Sequence, residues 1–349
     1  MAVIEIAACQ VHVTLDDYAS EESFAAMLAR AGERLDRLRA RDERGRFAHE
    51  CVAVFPEMIG TFLPIAGRSR LVRGARTTDG ALARVALRSL PDVARAMLAA
   101  GTPSPKIGFL LAAAAEVRRI YRSAFSELAR RHRLWVVAGS ALLPRNARGD
   151  LADAFEPEGG RVYNTSYAFA PDGSHVGATR KVNLVPTLED RLGLSPGDAA
   201  EITPFEAPFG RVATLVCYDG FLVPHTRGEP GFVRLGPVVD ARGASIVAHP
   251  AANPWPWNER WIFAEEGERQ LRSEQWRSEG IEAQLSAVRF ESVRYAVTAH
   301  LLGGVFDNRF EGRSQIFERT AHGARIVAEA TRADASRDAE EVVLKAVEI

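Results

Sequence analysis

The tetrapeptide Pro171-Asp172-Gly173-Ser174 constrains this chain more than any other short stretch. It joins two runs of strand character, Tyr163 to Phe169 and His175 to Arg180. Proline presets one turn dihedral, aspartate bonds the backbone ahead of it, and glycine accepts positive φ. A hairpin there makes the two strands antiparallel. Elsewhere strands alternate with helices, as parallel crossovers require. Val3-Ile4-Glu5-Ile6-Ala7-Ala8-Cys9 reads as a strand, and Phe24, Met27, Leu28, Ala31, Leu35 and Leu38 recur at helical spacing over 20–41. Cys51-Val52-Ala53-Val54-Phe55 is a second strand, stopped by Pro56. The mixture excludes a purely parallel doubly wound sheet and predicts an α/β sandwich of mixed sheets.

Further strands are expected over Leu134 to Gly139, Val212 to Val216, Ala244 to Ala248, Tyr295 to His300 and Arg313 to Glu318. Helices are expected over 116–133 and, as one long polar helix, over 259–291. Residues 60–106 read as an insertion with a helix near 79–99, interrupted by Pro91 and followed by a Thr-Pro-Ser-Pro break. Leaving the body beside the first strands, this insertion is expected to act as a lid or an oligomer contact. The domain reading is a body over 1–330 and a C-terminal extension over 331–349, expected as a helix with a partner-facing segment.

Composition excludes several functions. A net charge of −1 argues against nucleic acid or an anionic membrane surface as partner. The basic stretch over 68–133 lacks interleaved aromatics and reads as solvated helix faces. The apolar run Ile107 to Ala115 is far short of the roughly 20 residues a bilayer span needs. MAVIEIAACQ has no basic region ahead of its apolar stretch and is not a signal peptide. Cys9, Cys51 and Cys217 are too few and too scattered for a disulfide framework or a zinc site. A cytoplasmic protein with reduced thiols is the expectation.

Three residues stand out chemically. Cys217 ends an apolar strand and enters Tyr218-Asp219-Gly220, where main-chain N–H groups can lower a thiol pKa and hold an oxyanion. Alone, it reads better as a buried structural thiol, as Cys9 and Cys51 do. Glu57, behind Phe55-Pro56, is placed as a rigid general base or as a solvated loop residue. Of 44 basic residues only three are lysines, at 106, 181 and 345, so Lys181 in Arg180-Lys181-Val182-Asn183-Leu184 suggests a need for a compact ammonium.

Together these motifs resemble the Glu–Lys–Cys triad of the nitrilase superfamily, the carbon–nitrogen hydrolases. Flanking pieces agree: Tyr163-Asn164-Thr165, Pro250-Ala251-Ala252-Asn253 and Gly312-Arg313-Ser314-Gln315-Ile316. Glu189, in Leu188-Glu189-Asp190-Arg191, matches the second glutamate many members place beside the triad lysine. The resemblance implies a four-layer α-β-β-α sandwich with two mixed sheets, assembled as a homodimer or higher homo-oligomer. It implies that Glu57 takes the thiol proton, Cys217 attacks, and Lys181 with the Tyr218 backbone N–H binds the oxyanion. Lys181 is also expected to lower the Cys217 pKa, and Glu189 to orient Lys181. No metal and no cofactor is implied.

The expected substrate is a small linear amide, cleaved through a thioester to a carboxylic acid and ammonia. Alternatives are nitrile or N-carbamoyl hydrolysis with the same triad, acyl transfer to an amine, or a non-catalytic scaffold. A cysteine–histidine hydrolase would instead need His249 or His300 at Cys217. Asn253 and Trp255 are the expected substrate-binding residues, with Trp257 and Trp261 suggesting an apolar or aromatic acyl group or a core contact. Where members run on to Phe-Pro-Glu, this chain has Gly220-Phe221-Leu222-Val223-Pro224-His225, and Asn183 stands where histidine is frequent. Gly220-Phe221-Leu222 supplies no arginine to clamp a carboxylate, which disfavours an acidic substrate unless Arg227 reaches it.

Overall fold

A computed structural model describes residues 2–186, 188–226, 229, 231–264 and 267–349. The strands are β1 (Val3–Val13), β2 (Cys51–Val54), β3 (Trp135–Val137), β4 (Ala141–Asn146), β5 (Pro157–Phe169), β6 (His175–Arg180), β7 (Phe205–Ala207), β8 (Gly210–Thr214), β9 (Ala244–Ala251), β10 (Tyr295–Val305), β11 (Asn308–Phe310), β12 (Gln315–Thr320), β13 (Gly323–Glu329) and β14 (Glu341–Glu348). The α-helices are α1 (Glu21–Leu38), α2 (Ser69–Val72), α3 (Thr78–Arg88), α4 (Leu90–Ala100), α5 (Pro105–His132), α6 (Gly236–Ala241), α7 (Arg272–Glu279) and α8 (Ile281–Ala287).

Two mixed sheets stack face to face. The first runs β6–β5–β3–β2–β1–β14, with β4 also on β5, and the second runs β7–β8–β9–β10–β12–β13. They join where the far ends of β1 and β10 pair in parallel, Val11 opposite Leu301 to Val13 opposite Gly303. The period of two along each strand divides its side chains between layers. Ile4, Ile6 and Ala8, with Val52 and Val54, face the inter-sheet core against Val212, Ile246, Ala248 and Val297. Ala7, Cys9, Cys51 and Ala53 face outward under α1 and α5, and Ala213, Val247 and Ala296 face Val239, Ile281 and Leu285 of the opposite helices. Strands buried on both faces explain the near-continuous apolar runs in the sequence. The arrangement is the expected four-layer sandwich.

Helix α1 is capped by Ser20, whose hydroxyl accepts from the Ser23 N–H at 3.2 Å, and it buries Phe24, Met27, Leu28, Ala31 and Leu35. Leu38, expected on that face, is exposed. Helix α5 starts at Pro105, not near 116, because Ser104-Pro105 makes a good entry and the apolar run from Ile107 forms its first turns. The segment over 60–106 forms α2, α3 and α4, with the break at Ser89 and Pro91 in the first turn of α4, where its missing N–H is harmless.

Two larger sequence expectations also fail. The single polar helix over 259–291 is instead a loop followed by α7 and α8, separated by Gly280 in extended geometry. Its polar residues misled because Arg272, Gln275 and Gln284 face inward. The tail is a strand, not a helix: β14 pairs antiparallel with β1 from Val3 opposite Glu348 to Gln10 opposite Glu341, burying Val342, Val343 and Val347.

Candidate active site

Glu57, Lys181 and Cys217 lie just past the ends of β2, β6 and β8, and the fold brings them together. Past β2, the Phe55 N–H still bonds the Val137 carbonyl at 2.8 Å before the chain turns through Pro56 and Glu57 to Met58, at φ 63°. The turn is held from the side by Ser140, whose hydroxyl accepts from the Met58 N–H at 2.9 Å. Gly139 makes this contact possible: it sits at φ 72°, and a Cβ there would lie 2.0 Å from the Pro56 carbonyl oxygen.

Lys181 is the hub. Its Nζ donates to Glu57 Oε1 at 2.8 Å and to Glu189 Oε2 at 2.6 Å, with all three side chains buried. Asn164, on β5, bridges the carboxylates, its amide donating to Glu57 Oε1 at 2.8 Å and Glu189 Oε1 at 2.9 Å. Glu189 also accepts the Val185 N–H at 2.9 Å, which folds the loop after Lys181 back onto its own ammonium. Burial works against the charged lysine, but the two carboxylates prevail and hold it well above the ordinary lysine range. Burial likewise pushes Glu57 above the usual carboxylate range, against the pull of Lys181.

Cys217 opens a short 3-10 turn, Cys217–Gly220, with φ 49°, a left-handed conformation uncommon for a residue with a Cβ. Its thiol reaches the Ala252 carbonyl at 3.5 Å and lies close enough to Glu57 to feel its charge. Asp219 fixes this turn to the lysine loop: its carboxylate accepts the N–H groups of Asn183 at 2.7 Å, Val182 at 3.1 Å and Val216 at 3.4 Å. Burial pushes Asp219 up to about 7, although these donors favour its charged form. The Cys217 pKa differs from expectation. Burial first, then the charge of Glu57, raise it, and the attraction of Lys181 does not compensate. The thiol is therefore not a preformed thiolate.

The two histidines do not serve the thiol. His249 Nε2 donates to the Cys217 carbonyl at 2.7 Å and Nδ1 faces the Thr298 hydroxyl at 2.9 Å, so no lone pair points at Sγ. Burial lowers its pKa to about 4. Gly220 makes room for it, since a Cβ there would lie 2.4 Å from His249 Nε2. His300 packs between Trp257 and Trp276.

The residues expected to bind substrate have other partners. Asn253 is fully buried, with its amide donating to the Trp255 and Glu311 carbonyls at 2.7 and 3.0 Å and its Oδ1 accepting from Arg272 Nε at 2.8 Å. Trp255 packs edge-on against Trp261 at 5.2 Å and beside the Arg272 guanidinium at 5.1 Å. The Tyr218 phenol donates to Glu229 and its ring stacks on His225 at 3.9 Å, so only its backbone faces the cysteine turn. Arg227 lies outside the described residues. Sequence reasoning assigned no role to Asn164, Asp219 or Arg272. An asparagine inside an apolar strand and an aspartate two residues past the cysteine were visible signals, whereas Arg272 had none. Among the described residues, no group of three or more His, Cys, Asp or Glu side chains is placed to hold a metal ion, and no helix is long and apolar enough to cross a membrane.

Comparison with known proteins gives the family and the fold. A family model described as carbon-nitrogen hydrolase matches residues 51–226, about half the chain. Omega-amidase NIT2 from Homo sapiens is 32% identical over 104 residues, 28% of this chain and 33% of that protein; its Mus musculus counterpart is 29% identical over 134 residues, covering 36% and 40%. The match thus spans about a third of the length of these relatives. Among solved structures, a carbon-nitrogen hydrolase from Helicobacter pylori G27 superposes with a TM-score of 0.57 at 15% identity, over 99% of this chain and 88% of that one. A mutant of the Nesterenkonia AN1 amidase from the nitrilase superfamily gives 0.55 at 13%, over 99% and 92%. At such identities these two establish the shared fold.

Proposed function

The chain belongs to the carbon-nitrogen hydrolase family, among the amidase-like members of the nitrilase superfamily, and from that premise we propose that it hydrolyses a small linear amide through a thioester on Cys217. The observation that carries this reading is the buried set of one ammonium between two carboxylates, with a thiol close enough to Glu57 to feel its charge. With both glutamates ionised, the set holds one excess negative charge. Moving the thiol proton to Glu57 preserves that total, whereas releasing it to solvent would add a second buried negative charge. Thiolate formation is thereby tied to proton transfer.

In the first half-reaction Glu57 takes the proton from Cys217, and the sulfur attacks the amide carbon as the carbonyl π pair moves onto oxygen. Lys181 Nζ and the Tyr218 N–H stabilise that oxyanion. The oxyanion collapses, the C–N bond breaks, and Glu57 gives its proton to the departing nitrogen, which leaves as ammonia. In the second half-reaction water attacks the thioester while Glu57 takes its proton. Collapse breaks the C–S bond, the sulfur recovers the proton from Glu57, and a carboxylic acid leaves. Glu189 holds Lys181 as its second carboxylate partner. The omega-amidase relatives support the amide over the nitrile reading.

The test is ammonia release from aliphatic and aromatic amides, carbamoyl compounds and nitriles, run beside Cys217→Ala. Release from amides that disappears in the variant is expected. Release that persists in Cys217→Ala, or none together with a Cys217 inert to iodoacetamide, would overturn the proposal.

A further inference from the structure

The four oxygens of the two buried carboxylates are unequally occupied. Glu189 Oε2 accepts from Lys181 Nζ at 2.6 Å and from the Val185 N–H at 2.9 Å, and its Oε1 accepts from Asn164 Nδ2 at 2.9 Å. Glu57 Oε1 accepts twice, from Lys181 Nζ and from Asn164 Nδ2, both at 2.8 Å. Glu57 Oε2 accepts no hydrogen bond among the described residues, yet it is not fully enclosed. Of the four oxygens it is the one left without a donor.

Asn164 creates this asymmetry. It lies on β5, with Leu142 of β4 opposite it on one side. On the other side, just past β6, its carbonyl accepts the Lys181 N–H at 2.9 Å. The side chain is buried; its amide uses one N–H on each glutamate, and its Oδ1 is enclosed with no partner. An unpaired acceptor in the interior costs stability, so packing alone does not explain an asparagine here. One residue thus fixes the backbone of the lysine and one oxygen of each carboxylate. Cys217, meanwhile, lies close enough to Glu57 to feel its charge.

We propose that Asn164 is a positioning residue of this site: with Lys181 it occupies Glu57 Oε1, so that Oε2 takes the proton from Cys217 Sγ and later gives it to the departing nitrogen. Glu189, with donors on both oxygens, is thereby kept out of that role. The inference rests on the hydrolase reading above for the destination of the proton, but not for the state of Glu57. The charged and titratable groups facing Glu57 are Lys181 from the end of β6, Glu189 from the loop that follows and Cys217 from the turn past β8. Burial raises its pKa most, Lys181 lowers it and Glu189 raises it. The Asn164 N–H works with Lys181, because a hydrogen bond to the charged form favours that form. Removing it should therefore raise the Glu57 pKa and move the acid limb of the rate profile to higher pH.

The experiment follows amide hydrolysis as a function of pH in the unaltered protein, Asn164→Ala and Asn164→Ser. Asn164→Ala is expected to lose about 30-fold in kcat with KM within about threefold, and its acid limb should lie about 1 pH unit higher. Asn164→Ser, whose hydroxyl donates to one carboxylate at a time, should fall between the two, and it carries the comparison if the alanine variant does not fold. An unchanged kcat, a loss confined to KM, or an acid limb that does not rise would overturn the proposal by making Asn164 a packing residue. A second arm needs no turnover. The Glu57 carboxyl is titrated by carbon NMR in protein labelled at its glutamate side-chain carboxyls, its signal identified by its loss in Glu57→Gln. If no amide is hydrolysed, the hydrolase reading falls, and this arm decides the role of Asn164 alone. A midpoint about 1 pH unit higher in the Asn164 variants upholds it, and an unmoved midpoint, or a Glu57 that does not titrate, overturns it.

Discussion

Two buried ion pairs in this molecule look alike by distance and differ in what they can do. Arg39, at the end of α1, donates from Nε to Glu5 of β1 at 3.1 Å, and both side chains are 1% exposed. Its remaining donors reach the His132 and His49 carbonyls at 2.8 and 2.9 Å, and Glu5 also accepts the Ala40 N–H at 2.7 Å. One cation meets one anion. Around Lys181 one cation meets two anions, and the Cys217 thiol lies close enough to feel the charge of Glu57. Depth of burial therefore does not separate the two. Imbalance does, because an excess negative charge beside a weak acid creates somewhere for a proton to go.

Glu57→Gln should produce the largest effect: a loss of about 1000-fold in kcat, read as ammonia release, because the amide cannot take the thiol proton. The melting temperature should hold or rise, since the variant removes the excess buried charge. Retention of turnover within tenfold would erase the distinction between the two pairs. Arg39→Met should do the opposite. It leaves Glu5 buried without its cation and should cost about 3–5 kcal/mol of unfolding free energy in urea, with turnover per folded molecule unchanged. Glu189→Gln is expected to cost less, about 10- to 100-fold, because Lys181 keeps Glu57 as a partner. The same variant sharpens the comparison through pH. Glu57 acts as a base only when deprotonated, so activity falls as pH falls through its pKa, and burial puts that limb above the 4.5 of an ordinary glutamate. The charge of Glu189 contributes to that elevation, so a pH–rate profile of Glu189→Gln should show the acid limb at lower pH.

Glu57 and Cys217 were legible because each follows an apolar run, and Lys181 because lysine is rare in an arginine-rich chain. Glu189 was visible through its motif. The sandwich followed from one hairpin among crossovers. Arg272 was not legible, since nothing local separates one arginine from the many others in this chain. Only the tertiary wrapping by Trp255, Trp261 and Trp276 singles it out. The tail failed for a related reason: its strand is made by pairing with β1, more than 300 residues away, and local charge suggested a helix instead.

The joining of the sheets has a consequence in time. Residues 51–226 contain Glu57, Lys181, Glu189 and Cys217, yet not the strands that connect them. The hydrogen-bonded path from β2 to β8 runs through β1, β10 and β9, and its middle link is Val11 opposite Leu301. Loop closure over such a separation is slow, whereas hairpin β5–β6 and helix α5 form from neighbours in sequence. The ammonium and its first carboxylate follow strands of one sheet and the thiol follows a strand of the other. The Cys217 thiol thus meets Glu57 only when the two sheets dock, so the cluster is a property of the complete sandwich and of neither sheet alone.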